Sequence, residues 1–282
     1  MAQLPQTHLK KALTIASSDS GGGAGIEADL KTFAALRVFG LCVISAVTAQ
    51  NTVGVSAMEP LSPQLVKAQL KAVFDDIGAE AIKIGLLGYV ENTIAAAYFI
   101  KELKARPPII LDPVMVSAGG HVFLDHKAVE ALAELFPLCD LLTPNLPEAC
   151  VLSGVAIKKE SDYIKAGEII LNKGPKRVLI KGGHAKERWA SDYLIWDGGT
   201  RRFSTERVET KNTHGTGCTL SSAIAAHVAL GYEIEEAVNL SKLYVTESLK
   251  NSIYLGRGPG PLNHFHRYYQ IISQLPLPKR GL

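Results

Sequence analysis

Short apolar segments typical of buried strands alternate with longer helix-like segments along almost the whole chain, and this alternation most constrains the fold. Strand-like runs cover residues 12–16, 41–49 and 81–87, and helix-like segments at 25–38 and 92–105 lie among them. Strands that alternate with helices form right-handed βαβ units around a mostly parallel sheet. No internal repeat or low-complexity linker interrupts the pattern. We therefore predict an α/β fold with a single three-layer α/β/α domain.

The predicted domain covers residues 12–270, between an N-terminal tail at 1–11 and a C-terminal tail at 271–282. Ser62 followed by Pro63 predicts the N-cap and first position of a helix. Residues 193–196 and 200–208 predict a hairpin around the Asp-Gly-Gly turn at 197–199. Ligands of such folds bind beyond the carboxyl ends of the strands, so polar residues at those positions are the candidates for chemistry.

Composition excludes several classes of protein. The net charge of +3 over 282 residues provides no broad basic surface for nucleic acid. A polar N-terminus without an apolar core argues against a signal peptide, and the chain has no apolar run of about 18 residues that would span a membrane. None of the four cysteines forms a C-x-x-C pair, which argues against a zinc site or a disulfide framework. We expect a cytoplasmic protein.

The strongest local signal is the glycine-rich sequence at residues 212–219, which precedes an apolar helical segment. Glycines let backbone N–H groups approach a ligand, and a helix N-terminus adds free donors and partial positive charge. Gly215, Thr216 and Gly217 therefore predict an anion hole for a phosphoryl group. An ordinary glycine turn before a helix is the alternative that this motif alone leaves open.

A second glycine-rich sequence, at residues 17–25, follows the first strand and opens a helix. Gly23, Gly25 and Ala28 formally fit the G-x-G-x-x-A dinucleotide pattern. That pattern also requires an acidic residue about 20 positions later, and none lies between Lys31 and Met58. NAD binding is therefore disfavoured, and the chain also lacks a P-loop motif. The glycines suit a small planar ligand lying against the backbone.

Polar residues at strand ends complete the candidate set. Asp112 follows a strand and could hold magnesium, and Lys181 precedes two glycines in a position that suits a phosphate contact. Asn145 and Glu148 follow another strand, although a capping box explains the pair equally well. Gln50 ends a buried strand, where its amide could read the donor and acceptor edge of a ring. Strand termination is the alternative for Gln50, and a solvated side chain is the alternative for Lys181.

Taken together, these residues resemble the hydroxymethylpyrimidine/phosphomethylpyrimidine kinase branch of the ribokinase-like superfamily. The matching segments follow one another in order over residues 12–268, namely 12–16, 22–26, 28–33, 49–52, 83–87, 112–115, 143–149, 181–184, 212–219 and 260–266. The resemblance implies ATP-dependent phosphorylation of hydroxymethylpyrimidine and then of its monophosphate in thiamin biosynthesis. It also implies Mg²⁺ and a homodimer.

The resemblance implies roles for the individual residues. The acceptor would be bound by Gln50, Ala24, Asp29 and Val114. Magnesium and the ATP phosphates would be held by Asp112, Glu148, Asn145, Lys181 and the segment from Gly215 to Cys218. The family often has Gly in place of Ser17 and Gln in place of Glu27, but neither departure removes an implied ligand.

Cys218 occupies the position at which many members of the superfamily that this chain resembles have an aspartate base. A thiol near a helix N-terminus can have a lowered pKa, so we expect Cys218 to accept the proton of the substrate hydroxyl, unless its backbone N–H is what matters. Residues 117–122 are the candidate lid over ATP. A pyridoxal kinase-like enzyme and a non-catalytic pyrimidine sensor are the competing interpretations.

Overall fold

The computed structural model describes residues 9–115, 126–183 and 188–272, which form ten strands and nine α-helices in those ranges. The strands are β1 Lys11–Ala16, β2 Phe39–Ile44, β3 Ala46–Asn51, β4 Gly54–Pro60, β5 Ala81–Ile84, β6 Ile109–Leu111, β7 Leu141–Leu142, β8 Arg177–Lys181, β9 Trp189–Trp196 and β10 Gly199–Glu206. The helices are α1 Gly25–Ala35, α2 Pro63–Asp76, α3 Val90–Lys101, α4 His126–Leu132, α5 Leu146–Ser153, α6 Glu160–Leu171, α7 Thr216–Ala229, α8 Ile234–Lys250 and α9 His266–Ile272. The predicted lid at 117–122 lies outside the described residues.

Eight strands form one sheet in the order β10-β9-β8-β7-β6-β5-β1-β2. The six strands from β8 to β2 pair in parallel, whereas β9 is antiparallel to both of its neighbours. The predicted mostly parallel sheet and the predicted hairpin, formed by β9 and β10, are both confirmed. Parallel strands bring their carboxyl ends to one edge, where the candidate residues are collected.

The core consists of two apolar layers, one on each face of the sheet. Ile82 and Ile84 of β5 face the layer formed with α2 to α6, and Ala81 faces the layer formed with α1, α7 and α8. This alternation follows from the two-residue period of a strand. Lys83 follows the alternation, because it lies on the same face as Ala81, but it is a charged side chain that is fully buried between the sheet and the helices α1 and α7.

The prediction of one strand over residues 41–49 is wrong, because the chain changes sheet at Ser45. The Ser45 N–H donates to the Ala16 carbonyl at 2.9 Å, and its hydroxyl donates to the Leu86 carbonyl at 3.0 Å. After Ser45 the chain leaves the main sheet, and β3 pairs antiparallel with β4 in a separate two-stranded sheet. The run contains Ser45 and Thr48 but no glycine or proline, so it carries no turn signal at the point where the pairing partner changes.

The predicted N-cap is confirmed at the start of α2. The Ser62 hydroxyl accepts a hydrogen bond from the Leu65 N–H at 3.3 Å, and Pro63 is the first helical residue. Proline suits this position because its missing N–H would have no partner there. In the described ranges, none of the helices is both long and apolar enough to cross a membrane.

Candidate active site

The carboxyl edge of the sheet carries a buried cluster of charged side chains. Asp112 follows β6 and Lys181 ends β8, and their side chains form an ion pair at 2.7 Å. Asp112 also accepts hydrogen bonds from the hydroxyls of Thr143 at 3.4 Å and Ser221 at 3.3 Å. Burial acts to lower the pKa of Lys181, but Asp112 and Glu148 outweigh it and raise the pKa. Lys181 is therefore a fixed positive charge at the strand ends.

Glu148 lies beside this ion pair at the start of α5. Its carboxylate accepts from the Asn145 N–H at 2.8 Å, and the Asn145 side chain accepts from the Glu148 N–H at 2.9 Å. The capping box proposed from the sequence is therefore present. Burial raises the pKa of Glu148 to about 7, with a further contribution from Asp112 that Lys181 opposes. Because burial is the main cause, the raised pKa reflects the low polarity around the carboxyl group more than the charges beside it.

The first turn of α7 approaches the same cluster through a left-handed glycine. Gly215 has φ of +80°, and a Cβ there would lie 1.8 Å from the Gly23 carbonyl oxygen. A Cβ on Gly217 would lie 3.3 Å from the Lys181 ammonium and 3.5 Å from an Asp112 oxygen. The N–H groups in the first turn of α7, of which that of Thr216 donates to the Thr213 carbonyl at 3.2 Å, therefore lie next to a lysine ammonium. A helix N-terminus beside a positive charge is a favourable arrangement for binding a phosphate.

Cys218 is partly exposed in this first turn, but the expected lowering of its pKa is wrong. Burial raises the pKa of the thiol to about 11, and Lys83, whose charge acts to lower it, is opposed by Asp29 and Asp112. The helix N-terminus therefore does not outweigh the low polarity and nearby carboxylates around the sulfur.

The second part of the site is the glycine-rich loop after β1, which packs against the end of β3. The Ser20 hydroxyl donates to the Gln50 carbonyl at 2.7 Å and accepts from the Gln50 N–H at 2.8 Å. The register of β3 on β4 shifts between Ala49 and Gln50, which is the signature of a β-bulge. Bulges re-aim side chains, and the Gln50 carboxamide has only long contacts in the described structure, at 3.4 Å to His214 and 3.5 Å to Thr48.

Two other residues, Ala24 and Val114, are predicted acceptor contacts. Ala24 is the N-cap of α1 and is half-buried, and its Cα would lie 3.3 Å from a Cβ on Gly215. Val114 is half-buried and follows the Asp112-Pro113 pair. The close approach of Gly23 and Gly215 brings the glycine-rich loop and the first turn of α7 together, so the two parts of the candidate site adjoin.

The predicted contact of Asp29 with the acceptor does not fit the structure, because its side chain has no exposed surface. The carboxylate instead accepts hydrogen bonds from Lys83 at 2.7 Å, Thr14 at 2.6 Å and Ser222 at 2.5 Å. Ser222 lies one turn after Cys218 on α7. Asp29 therefore supports the floor of the site and links α1, β1, β5 and α7.

Three residues of the site were not assigned a role from the sequence. Asp19 and His214 form a pair at 2.8 Å although they are 195 positions apart. Lys83 lies within an apolar strand sequence, and its charge contributes to the pKa of Cys218. A lysine inside a buried strand was the one signal that could have pointed to Lys83, because lysine is almost never fully buried without a partner.

Comparison with known proteins identifies the family. A model of the phosphomethylpyrimidine kinase family matches residues 19–263. The chain belongs to the phosphomethylpyrimidine kinase family. A hydroxymethylpyrimidine/phosphomethylpyrimidine kinase of Rhizobium meliloti is 47% identical over 264 residues, which cover 92% of this chain and 98% of the relative. The resemblance inferred from the sequence motifs is therefore confirmed.

Solved structures agree with this assignment and with the fold. A phosphomethylpyrimidine kinase of Clostridium difficile is 45% identical with a TM-score of 0.76, and the match covers 86% of this chain and 100% of that one. A pyridoxal kinase of Staphylococcus aureus in complex with AMP-PCP and pyridoxal is 34% identical with a TM-score of 0.84, over 92% and 95% of the two chains. Both phosphomethylpyrimidine kinases and pyridoxal kinases therefore share this architecture, and the family is one of ATP-using kinases.

Proposed function

We propose that this phosphomethylpyrimidine kinase family member transfers the γ-phosphoryl group of ATP to 4-amino-5-hydroxymethyl-2-methylpyrimidine and then to its monophosphate, in thiamin biosynthesis. The observation that carries the proposal is the close approach of Gly23 and Gly215, which supports a phosphate site in the first turn of α7 beside an acceptor site at the glycine-rich loop. Identity of 47% over almost the full length of the Rhizobium meliloti kinase supports the choice of acceptor.

The phosphate side would act through charge and position, which is what phosphoryl transfer requires. The N–H groups from Gly215 to Cys218, including those of Thr216 and Gly217, would bind the transferring group. Asp112 holds the Lys181 ammonium in position at 2.7 Å. Lys181 would offset negative charge on the ATP phosphates. Asn145 would contribute its amide from the N-cap of α5. These groups are held before ATP binds, so little reorganisation is needed at the moment of transfer.

The residues fit a magnesium ion. Mg²⁺ is usually bound by one or two carboxylates together with waters and substrate phosphates. Asp112 and Glu148 supply two buried carboxylates beside the one ammonium of Lys181, so a cation would balance the remaining negative charge. In the described ranges no three potential ligands cluster into an all-protein cage. When bound, the ion would neutralise charge on the ATP phosphates, and Asp112 and Glu148 would hold it.

The acceptor side would present Gln50 to the ring edge, with Ala24 and Val114 lining the pocket. Cys218 would accept the proton of the hydroxymethyl group in the first transfer. The second acceptor is a phosphate monoester, whose second pKa is about 6, so it is already an anion near neutral pH. The base is therefore needed mainly for the first step.

A pyridoxal kinase-like activity is the second candidate, and the observation that favours it is the TM-score of 0.84 to the Staphylococcus aureus pyridoxal kinase.

We also propose that the protein is a homodimer and that it is cytoplasmic. A mass in solution of twice the 30.3 kDa chain mass would support the dimer, and the monomer mass would contradict it.

The decisive experiment is ATP-to-ADP turnover with magnesium, using hydroxymethylpyrimidine, its monophosphate and pyridoxal as separate acceptors. We expect turnover with both pyrimidines. Turnover mainly with pyridoxal would move the assignment to the sister activity. Pyrimidine binding without turnover with any of the three acceptors, in folded protein, would contradict the kinase proposal and favour a sensor.

A further inference from the structure

A hydrogen-bonded chain of three side chains connects the glycine-rich loop to the acceptor residue Gln50. His214 Nε2 lies 2.8 Å from Asp19 Oδ2 and 3.4 Å from Gln50 Nε2. The imidazole packs so closely on the loop that a Cβ on Gly23 would lie 2.3 Å from its Cδ2 atom. His214 therefore has a fixed position between a buried carboxylate and the side chain proposed to contact the acceptor ring.

Asp19 determines which hydrogen-bonding role remains for His214. Its side chain is 1% exposed, and its carboxylate accepts from the N–H groups of Gly21 at 2.8 Å, Gly23 at 3.1 Å and Ala24 at 2.9 Å. Burial acts to raise the pKa of Asp19, but the hydrogen bonds from His214 and the backbone outweigh it and lower the pKa. An ionised carboxylate can only accept, so the facing Nε2 of His214 carries a proton and acts as a donor.

This donor constrains the carboxamide of Gln50. Gln50 Nε2 is also a donor, so two donors would face each other at 3.4 Å. Amide oxygen and nitrogen are assigned from the hydrogen-bond network, and a half-turn of the carboxamide resolves the conflict. The carboxamide oxygen then faces His214 Nε2, whose single proton it shares with Asp19 Oδ2 in a bifurcated hydrogen bond, and the carboxamide nitrogen faces the Thr48 hydroxyl. That hydroxyl already donates to the Ser18 carbonyl at 2.8 Å, so its oxygen is available to accept.

We propose that His214 is a specificity-determining positioning residue that fixes the order in which Gln50 presents its donor and acceptor to the acceptor ring. The inference rests on the proposed function, because it takes Gln50 as the group that contacts the ring. A 4-aminopyrimidine has an amino donor directly beside a ring-nitrogen acceptor, so it pairs with a carboxamide in one order only. In pyridoxal the ring nitrogen is flanked by carbon atoms, so a fixed amide order is of less benefit.

The test is a double-mutant cycle that asks whether His214 acts through Gln50. The variants are His214→Leu, Gln50→Leu and the double variant, with His214→Gln as the conservative replacement that keeps a donor at a similar reach. The measurements are kcat/KM for hydroxymethylpyrimidine and for pyridoxal at saturating ATP, and KM for ATP. We expect His214→Leu to lower kcat/KM for the pyrimidine about tenfold or more, because the Gln50 carboxamide loses the buried N–H donor that fixes its orientation. The KM for ATP should stay unchanged.

The conservative and double variants distinguish positioning from a merely structural role. His214→Gln should recover kcat/KM to within about threefold of the parent protein, and the double variant should be no worse than Gln50→Leu alone. Additive losses, an equal loss with pyridoxal, or a parallel rise in KM for ATP would each overturn the inference. If His214→Leu does not fold, His214→Asn, whose amide is too short to reach Asp19, takes its place in the comparison with His214→Gln.

Failure of the proposed function would look different. Absence of turnover with hydroxymethylpyrimidine in the unsubstituted protein would overturn both proposals. Normal kcat/KM in Gln50→Leu would overturn the role of Gln50, and the inference with it, while leaving the kinase activity in place. A loss in Gln50→Leu together with no loss in His214→Leu would overturn the inference alone.

Discussion

The proposed role of Cys218 as a base is opposed by the buried environment of its thiol. Its thiol has a pKa raised to about 11 by burial, against the favourable charge of Lys83. A thiolate formed in such a place is a strong base, but it is scarce at neutral pH. The primary alcohol needs a base when it attacks ATP, whereas the monophosphate arrives as an anion. The two transfers therefore place different demands on the same sulfur.

Replacing the thiol should separate the two transfers. We expect Cys218→Ala to lower kcat for hydroxymethylpyrimidine about a hundredfold, as is typical for loss of a general base, and to lower kcat for the monophosphate less than about tenfold. Because the thiol must lose its proton to act, kcat for the alcohol should also rise with pH above neutrality in the parent protein and be flatter in the variant. Steady-state kinetics on each acceptor measures this. Cys42→Ala, which changes a half-buried thiol on β2, is the matched control. Equal losses on both acceptors would exclude the base role.

Lys83 and Asp29 show why some residues of the site were not predictable. Both side chains have no exposed surface, and they form an ion pair at 2.7 Å beneath α7. Gly85 leaves room for the lysine, because a Cβ there would lie 2.7 Å from the ammonium. The sequence shows Lys83 within an apolar strand and Asp29 on an amphipathic helix, 54 positions apart. Only the tertiary fold brings the two charges together.

At the scale of whole elements, the sequence predicted the helix-capping features, because these depend only on residues that are close together in the chain. The N-cap at Ser62 and the capping box of Asn145 and Glu148 need only three-residue spacings, and both are present. The division of one apolar run into β2 and β3 depends on pairing with β4, so the same signals did not reveal it. The bulge beside Gln50 and the pair of Asp19 with His214 depend on the fold in the same way.

The start of α5 allows capping to be separated from ligand binding. Asn145→Ala should lower the free energy of unfolding by about 1 kcal/mol, because the Glu148 N–H loses its acceptor. Asn145→Ser should keep that stability, since serine is an equally good N-cap. If the amide also contacts the ATP phosphates, both variants should raise KM for ATP. Urea unfolding and ATP kinetics on the two variants measure these effects. A normal KM for ATP in Asn145→Ala would leave Asn145 with a capping role only.

At the scale of the whole molecule, buried groups with opposite effects determine how stability responds to pH. Burial lowers the pKa of His264 to about 4, and burial also lowers the pKa of His227 and of His266. The unfolded chain binds protons at these histidines at a higher pH than the fold does, so they favour unfolding as the pH falls below the ordinary histidine value of about 6.5. Glu148 acts in the opposite direction. In the fold it holds its proton up to about pH 7, whereas its ordinary pKa is 4.5.

Replacing Glu148 with a residue that does not ionise should therefore make the stability of the fold fall more steeply in acid, because the effect of the buried histidines is no longer offset. Between its two pKa values the folded protein binds the Glu148 proton and the unfolded chain does not, so Glu148 stabilises the fold as the pH falls from about 7 to about 5. Integrated over that interval, the stabilisation amounts to about 2 kcal/mol, which is comparable to the opposing effect of His264.

In Glu148→Gln the free energy of unfolding should fall over this interval by about 2 kcal/mol more than in the parent protein. Urea unfolding without magnesium at both pH values measures the difference, with the exposed Glu206→Gln as the control. Parallel pH dependences for Glu148→Gln and the parent would show that Glu148 is ionised in the fold throughout this interval, which would contradict its raised pKa.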